Sequence, residues 1–140
     1  MLFGEARHSM DAKNRLFIPA TQRESLGAPF MAVRSIRGNC IKLFSMEQWE
    51  EYIKPLRALP RKVSEETFRY LYRSAAQLTP DAQGRVLLPA GLVQHAGILK
   101  NVVIVGCGDF AEIWSEEQYQ INLEQEDVDS LVSSLEECGL

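Results

Sequence analysis

Arg15 and Arg85 offer this chain its most distinctive chemistry. Each closes the same five-residue motif, Asp11-Ala12-Lys13-Asn14-Arg15 and Asp81-Ala82-Gln83-Gly84-Arg85. A guanidinium is a planar fork of five donors that stays charged at physiological pH. It can grip a phosphate, or the O6/N7 edge of guanine, through two hydrogen bonds at once. Lys13 is a flexible point charge suited to phosphate. Asn14 can donate to a phosphate or pair with an adenine edge. The aspartate four residues before each arginine has two readings. Either it pairs with its own arginine and only holds a hairpin, or it sets the turn and orients the arginine while Lys13, Asn14 and Arg15 face a ligand. A mixture of the two suits Asp11 best. In the second motif the lysine has become Gln83, and a purely structural Asp81–Arg85 pair is favoured over ligand contact.

Such donors need a projecting tip, and the flanking residues supply one. Asn14 and Gly84 both tolerate positive φ, so a tight hairpin turn is predicted at each motif. The runs Leu16-Phe17-Ile18 and Val86-Leu87-Leu88 then predict strands buried on both faces. Pro19 and Pro89 fit the first position of a helix, where a missing N–H costs nothing. Gly27 and Gly97 fit its C-terminal stop about two turns later.

The motifs lie 70 residues apart (81 − 11), half of the 140-residue chain. The same offset relates Val33 to Val103, Gly38 to Gly108, Ser45 to Ser115 and Gln48 to Gln118. Each copy therefore predicts the same run of elements. After the short helix come two strands, Phe30 to Ile36 and Ile41 to Phe44 in the first copy, Asn101 to Val105 and Phe110 to Trp114 in the second. Ser45 and Ser115, each followed three residues later by glutamine, have the capping-box pattern that opens a helix. Met46, Trp49, Tyr52, Ile53 and Leu56 recur at helical spacing, as a core or subunit-contact face does. Pro55 and Pro60 bracket a break. A further helix is expected to open at Ser64 and to carry Phe68, Leu71, Tyr72, Ala75 and Leu78 on one stripe. Residues 1–58 form a first half-unit, 59–78 a linking helix, and 79–140 a second half-unit with a helical tail that carries Val128, Leu131, Val132 and Leu135. Halves this small bury too little surface alone, so they are expected to share a core.

The net charge of −4 conceals a division between the copies. Residues 1–70 hold 12 basic and 8 acidic side chains, whereas residues 71–140 hold 3 and 11. Binding follows the local field, so the average does not exclude a polyanion. No apolar run approaches the roughly 20 residues of a membrane span, and the N-terminal segment lacks signal-peptide order. A cytoplasmic protein is expected.

Catalytic patterns are absent. His8 and His95 are the only histidines, and no triad, H-E-x-x-H, P-loop or G-x-G-x-x-G is present. An Asp11/Asp81 dyad is disfavoured, because an arginine four residues after each would keep both ionised. Cys40, Cys107 and Cys138 make no C-x-x-C pair. The first two read as small buried apolar residues rather than disulfide or zinc ligands. No cofactor or metal is implied.

A doubled D-x-x-x-R, each copy followed by a short strand, Pro, a short helix and Gly, resembles the MraZ family of bacterial transcriptional regulators. That family belongs to the AbrB/SpoVT-like swapped-hairpin superfold. The opening Met-Leu-Phe-Gly-Glu-Ala, the Trp49 helix and Gln94-His95-Ala96-Gly97 fit as well. The resemblance implies an α+β fold whose core is a small β-barrel, closed by hairpins exchanged between two tandem half-units, with helices at the periphery. It implies a homo-oligomeric ring on the nucleoid that binds tandem direct repeats in duplex DNA through the D-x-x-x-R loops, usually as a repressor of the operon for cell division and cell-wall synthesis. The implied DNA contacts are Lys13, Asn14 and Arg15. Arg85 joins them by pseudo-symmetry. Independently of the resemblance, Arg7 and Arg23 lie near the first loop in sequence and offer phosphate contacts, against the commoner reading of such single sites as solvated charges. The family loop commonly has Gly before the Arg, and Asn14 departs from that. Two other readings stand beside this one. A ring-shaped protein-interaction scaffold would recruit a partner through the apolar helices around Trp49 and Tyr70 and use the loops only to hold the barrel. An AbrB-like antitoxin would bind a toxin and its own promoter, although such chains usually carry one half-unit.

Overall fold

The computed structural model describes all residues, 1–140. The duplication is visible in its element order. The first copy runs β1 (Glu5–Ser9), β2 (Arg15–Phe17), α1 (Ala20–Leu26), β3 (Phe30–Arg34), β4 (Ile41–Ser45) and α2 (Met46–Arg57). Helix α3 (Arg61–Arg73) follows. The second copy runs β5 (Ala76–Leu78), β6 (Arg85–Leu87), α4 (Ala90–Ala96), β7 (Asn101–Gly106), β8 (Ala111–Ser115) and α5 (Glu116–Glu124), and α6 (Val128–Glu137) ends the chain. The molecule is thus a mixed α/β protein with six helices. No helix is long and apolar enough to cross a membrane.

All strand pairs are antiparallel. Six strands form one sheet in the order β1-β7-β8-β4-β3-β5, and β2 pairs with β6 separately. The outer strands change sides, since β1 lies on β7 of the second copy and β5 lies on β3 of the first. The register reveals a pseudo-two-fold axis. Leu16 faces Val86, and Lys42 faces Glu112. Each of these pairs joins residues 70 positions apart, so each lies on the axis. The charge division between the halves thus meets itself at the centre of the sheet.

The expected closed barrel is not formed by these ladders, because the large sheet is open with β1 and β5 as its edges. β2 and β6 are three residues long and each is followed closely by a proline. Proline donates no backbone hydrogen bond, so neither short strand can be extended to link the two edges. These strands are not buried on both faces either. Leu16 and Val86 are buried, but Leu87 is 62% exposed. The burial alternates because only one face of this short ladder meets the core.

The main core draws on both copies. It joins Leu16, Ile18, Leu26, Phe30, Ile41 and Leu43 to Val86, Leu88, Leu92, Ile98, Ile104 and Ile113. A second cluster lies under α2 and α3, where Met31, Val33, Phe44, Trp49, Ile53 and Leu71 are buried together. Trp49 and Ile53 are the buried face expected of α2. In α5 no residue is buried, and the tail helix α6 leaves Val128, Leu131, Val132 and Leu135 exposed.

Several local boundaries differ from the sequence-based expectation. Pro19 and Pro89 are N-caps rather than first helical residues, each with extended ψ near 145°. The break expected between Pro55 and Pro60 is present, since α2 carries Pro55 in its last turns and ends at Arg57. Helix α3 starts at Arg61, capped by Pro60, three residues before Ser64. The 59–78 segment is not helical throughout, because its last three residues form the edge strand β5, paired to β3. Ser45 and Ser115 each accept from the N–H of the glutamine three residues on, at 3.1 Å, whereas the reciprocal glutamine bond is not made. Cys40 is buried as expected, but Cys107 is exposed. Burial and the neighbouring Glu112 carboxylate push the Cys40 thiol up to about 12, and partial desolvation beside the same carboxylate pushes the more exposed Cys107 up to about 11, so both stay protonated at neutral pH.

Candidate nucleic-acid interface

Both D-x-x-x-R segments fold into the same turn, and the aspartate builds it. Asp11 Oδ1 accepts from the N–H groups of Lys13 and Arg15, both at 2.9 Å. Its Oδ2 accepts from Arg15 Nε at 2.7 Å. In the second copy Asp81 Oδ1 accepts from Gln83 and Arg85 at 2.9 Å, and Oδ2 accepts from Arg85 Nε at 3.1 Å. A short acceptor side chain that captures N–H groups two and four residues ahead is a strong turn former. The residue before each arginine then needs a left-handed backbone. Asn14 has φ +58° and Gly84 has φ +81°. Asparagine is among the few side-chain-bearing residues that adopt it readily. The departure at Asn14 therefore leaves the turn intact.

The aspartate is both turn former and arginine orienter. The backbone bond from Arg15 holds the Asp11 carboxyl below its ordinary value of 3.8, helped by the Lys13 N–H and the Arg15 guanidinium and opposed by partial desolvation. Asp81 is lowered by the matching set around Arg85 and Gln83. The sign follows from linkage. A carboxyl whose pKa is lower folded than unfolded stabilises the fold fully above its unfolded value, and that contribution fades as pH falls through the folded one. The turns are therefore expected to keep their amide protection from neutral pH down to about 4 and to lose it together below that. Amide resonances of Lys13, Arg15, Gln83 and Arg85, followed by NMR against pH, test this. A transition between pH 5 and 6 would contradict it.

The two turns lie side by side. Ile18 N–H donates to the Gly84 carbonyl at 3.0 Å, and Leu88 N–H donates to the Asn14 carbonyl at 2.9 Å. These bonds are the same bond seen from either side of the pseudo-axis. Arg85 Nη1 comes within 4.0 Å of Asp11 Oδ2, so both arginines converge on the first aspartate. The Arg15 and Arg85 side chains remain 34% and 31% exposed. Each arginine spends its Nε on its own aspartate, and neither makes a hydrogen bond through its Nη groups. Lys13 and Asn14 are exposed, and Lys13 has no carboxylate partner. This surface can receive an anionic, oxygen-rich ligand through oriented guanidinium edges and one mobile ammonium.

Lys13, Asn14, Arg15 and Arg85 are thus brought together. Arg7 is not part of this group. It lies on β1, paired with Glu5 and with Glu116 of α5, both at 3.2 Å. Pro19 and Pro89 end the segments that follow the arginines and cap α1 and α4. Arg23 is close in sequence to the first motif yet lies against the second. Its guanidinium carbon is 2.7 Å from where a Cβ on Gly84 would stand. The signal in the sequence was the change from Asn14 to Gly84, which reports extra crowding at the second tip.

The fold and paired turns define a duplicated D-x-x-x-R-loop protein in which two half-chain copies interleave their strands. Residues 1–69 and 71–136 match the family model described as "MraZ protein, putative antitoxin-like". The chain belongs to the MraZ family. It is 36% identical to the transcriptional regulator MraZ of Lachnoclostridium phytofermentans, across 100% of this chain and 99% of that one. It is 44% identical to the protein of the same name from Lactiplantibacillus plantarum, with 86% of each chain covered. The Heliobacterium modesticaldum protein of that name is 41% identical over 85% of this chain and 84% of its own. These relatives are named as transcriptional regulators and not as enzymes.

Proposed function

We propose that this chain is a transcriptional regulator that binds DNA sequence-specifically through its D-x-x-x-R loops. On this reading it acts as a ring-shaped homo-oligomer on the nucleoid of the cytoplasm. It binds tandem direct repeats and represses the operon for cell division and cell-wall synthesis. Lys13, Asn14 and Arg15 are the principal contacts, with Arg85 secondary. On this reading the exchange of β1 and β5 between the two copies is what remains of the superfold's swapped hairpins. The observation that carries the reading is the pair of adjacent turns, each with an aspartate fixing its arginine by the Nε, which leaves the Nη edge of Arg15 free and that of Arg85 without a hydrogen bond.

One turn reads few bases, and a bidentate base contact contributes only about 1–3 kcal/mol. Several protomers on spaced repeats multiply that through effective concentration. The test is a footprint on DNA just upstream of the chain's own coding region, against a scrambled duplex. Equal binding to both at physiological salt would end the sequence-specific reading.

The basic first half and the acidic second half also suit a head-to-tail contact between copies, which closes into a ring where the rotation permits. Such a contact should weaken with salt. Light scattering is expected to show the particle mass falling between about 0.1 and 1 M salt. An assembly indifferent to salt, with DNA binding abolished over the same range, would remove charge as the basis of the ring. The exposed stripe on α6 supports a second use, as a protein-docking scaffold. Deleting residues 128–140 separates the two, because loop-mediated DNA binding does not need them.

A further inference from the structure

We infer that Arg23 supplies the second loop with the phosphate-gripping cation that its own sequence lacks, so that the two loops carry matching charge by different routes. This rests on the DNA-binding reading above. The first loop holds two cations within its motif, Lys13 and Arg15, and the second holds only Arg85, with Gln83 at the lysine position. Arg23 makes up the difference from the opposite half of the chain. It sits on α1, and the backbone bond from Ile18 N–H to the Gly84 carbonyl brings that region against the second tip.

The arginine is held, not free. Its Nε donates to the Ile18 carbonyl at 2.8 Å, and its guanidinium lies 5.5 Å from the Phe17 ring centroid. The guanidinium plane covers Gly84, with its carbon 2.7 Å and Nη1 2.9 Å from the position a Cβ would take. A side chain at residue 84 would have to displace it. Asn14, the matching residue of the first loop, needs no such space, because the position 70 residues after Arg23 is Val93. The pairs Asn14/Val93 and Gly84/Arg23 are therefore alternative solutions to one geometry.

Arg23 is half-buried and forms none of the chain's ion pairs. A guanidinium fixed by its Nε, with Nη1 lying over Gly84 and no Nη hydrogen bond, is preorganised for an anionic oxygen. In duplex DNA that oxygen is a backbone phosphate. Each phosphate so neutralised adds about 0.9 to the slope of log K against log salt.

The experiment measures that slope for the full-length oligomer on a duplex of the DNA upstream of its coding region, from 50 to 200 mM KCl (a range of about fourfold, over which each contact is resolvable). Arg23→Gln is expected to lower the slope by about 0.9 per engaged protomer, and Arg23→Lys to keep it. In parallel, phenylglyoxal labelling of the unaltered protein, read by mass spectrometry, is expected to show Arg23 protected by the duplex. Folded Arg23→Gln with an unchanged slope overturns the assignment. So does a lysine variant that behaves like glutamine, which would reduce Arg23 to its bond with Ile18. Should Arg23→Gln not fold, the labelling decides alone, and equal reactivity with and without DNA overturns the proposal. All these failures leave Arg15-dependent binding standing. An unaltered protein that ignores the duplex removes the DNA reading itself.

Discussion

Arg15→Ala is expected to abolish specific duplex binding while leaving the oligomer and its far-ultraviolet spectrum unchanged. The aspartate that builds the turn does so mainly through backbone N–H groups of Lys13 and Arg15, which alanine at position 15 retains. What is removed is the guanidinium and its free Nη edge. At about 1–3 kcal/mol for each bidentate contact, two engaged protomers lose roughly 2–6 kcal/mol, or about 30-fold to more than 10⁴-fold in affinity. Arg85→Ala should cost less, since the Arg85 guanidinium is shared between Asp81 and Asp11 and is less free for DNA. Fluorescence anisotropy with specific and scrambled duplexes, beside light scattering, makes the comparison. Equal losses from the two substitutions would mean that the copies act equivalently. An unfolded Arg15→Ala would assign the Asp11–Arg15 pair a purely structural role.

Phe44→Ala is the substitution expected to cost most stability. Phe44 is 2% exposed and packs its ring against Trp49, Tyr52 and Phe110, with centroids 5.6, 4.6 and 5.8 Å away. Phe110 belongs to the second copy, so this ring also joins the halves. Truncating a buried phenylalanine costs about 3–5 kcal/mol, partly as lost transfer energy and partly as an unfilled cavity. Domains are stable by about 5–15 kcal/mol in total. The melting temperature should therefore fall by on the order of 10 °C or more. Leu87→Ala is the control. That side chain is 62% exposed on the short ladder, so its loss should stay within about 0.5 kcal/mol. Calorimetry on both proteins checks the contrast. A Phe44→Ala protein that melts with the control would show that the second cluster is dispensable.

The turn was legible in the sequence because its cause is local. Asp11 reaches only to residues 13 and 15, and the left-handed backbone is written in Asn14 and Gly84 themselves. The start of α3 was misplaced because a proline N-cap at Pro60 offers no side-chain oxygen to recognise, whereas Ser64 does. β5 was hidden for a different reason. Ala76-Gln77-Leu78 continues the apolar stripe of the preceding helix, and only its pairing with Phe30, Met31 and Ala32 makes it a strand. The same limit applies to β2 and β6. An apolar triplet does not reveal whether one or both of its faces meet a core.

By itself, the sequence determined the doubling, the two turns, the short helices after Pro19 and Pro89 and the placing of Lys13, Asn14 and Arg15 at one tip. All of these follow from interactions spanning a few residues or from comparing the chain with itself. Tertiary structure alone decided which strands are exchanged, that the large sheet stays open, that Glu116 reaches Arg7, and that Arg23 lies over the second loop. Those outcomes depend on backbone pairing and side-chain packing between residues tens of positions apart. Local propensity and spacing along the chain carry no information about such distances until the core has formed.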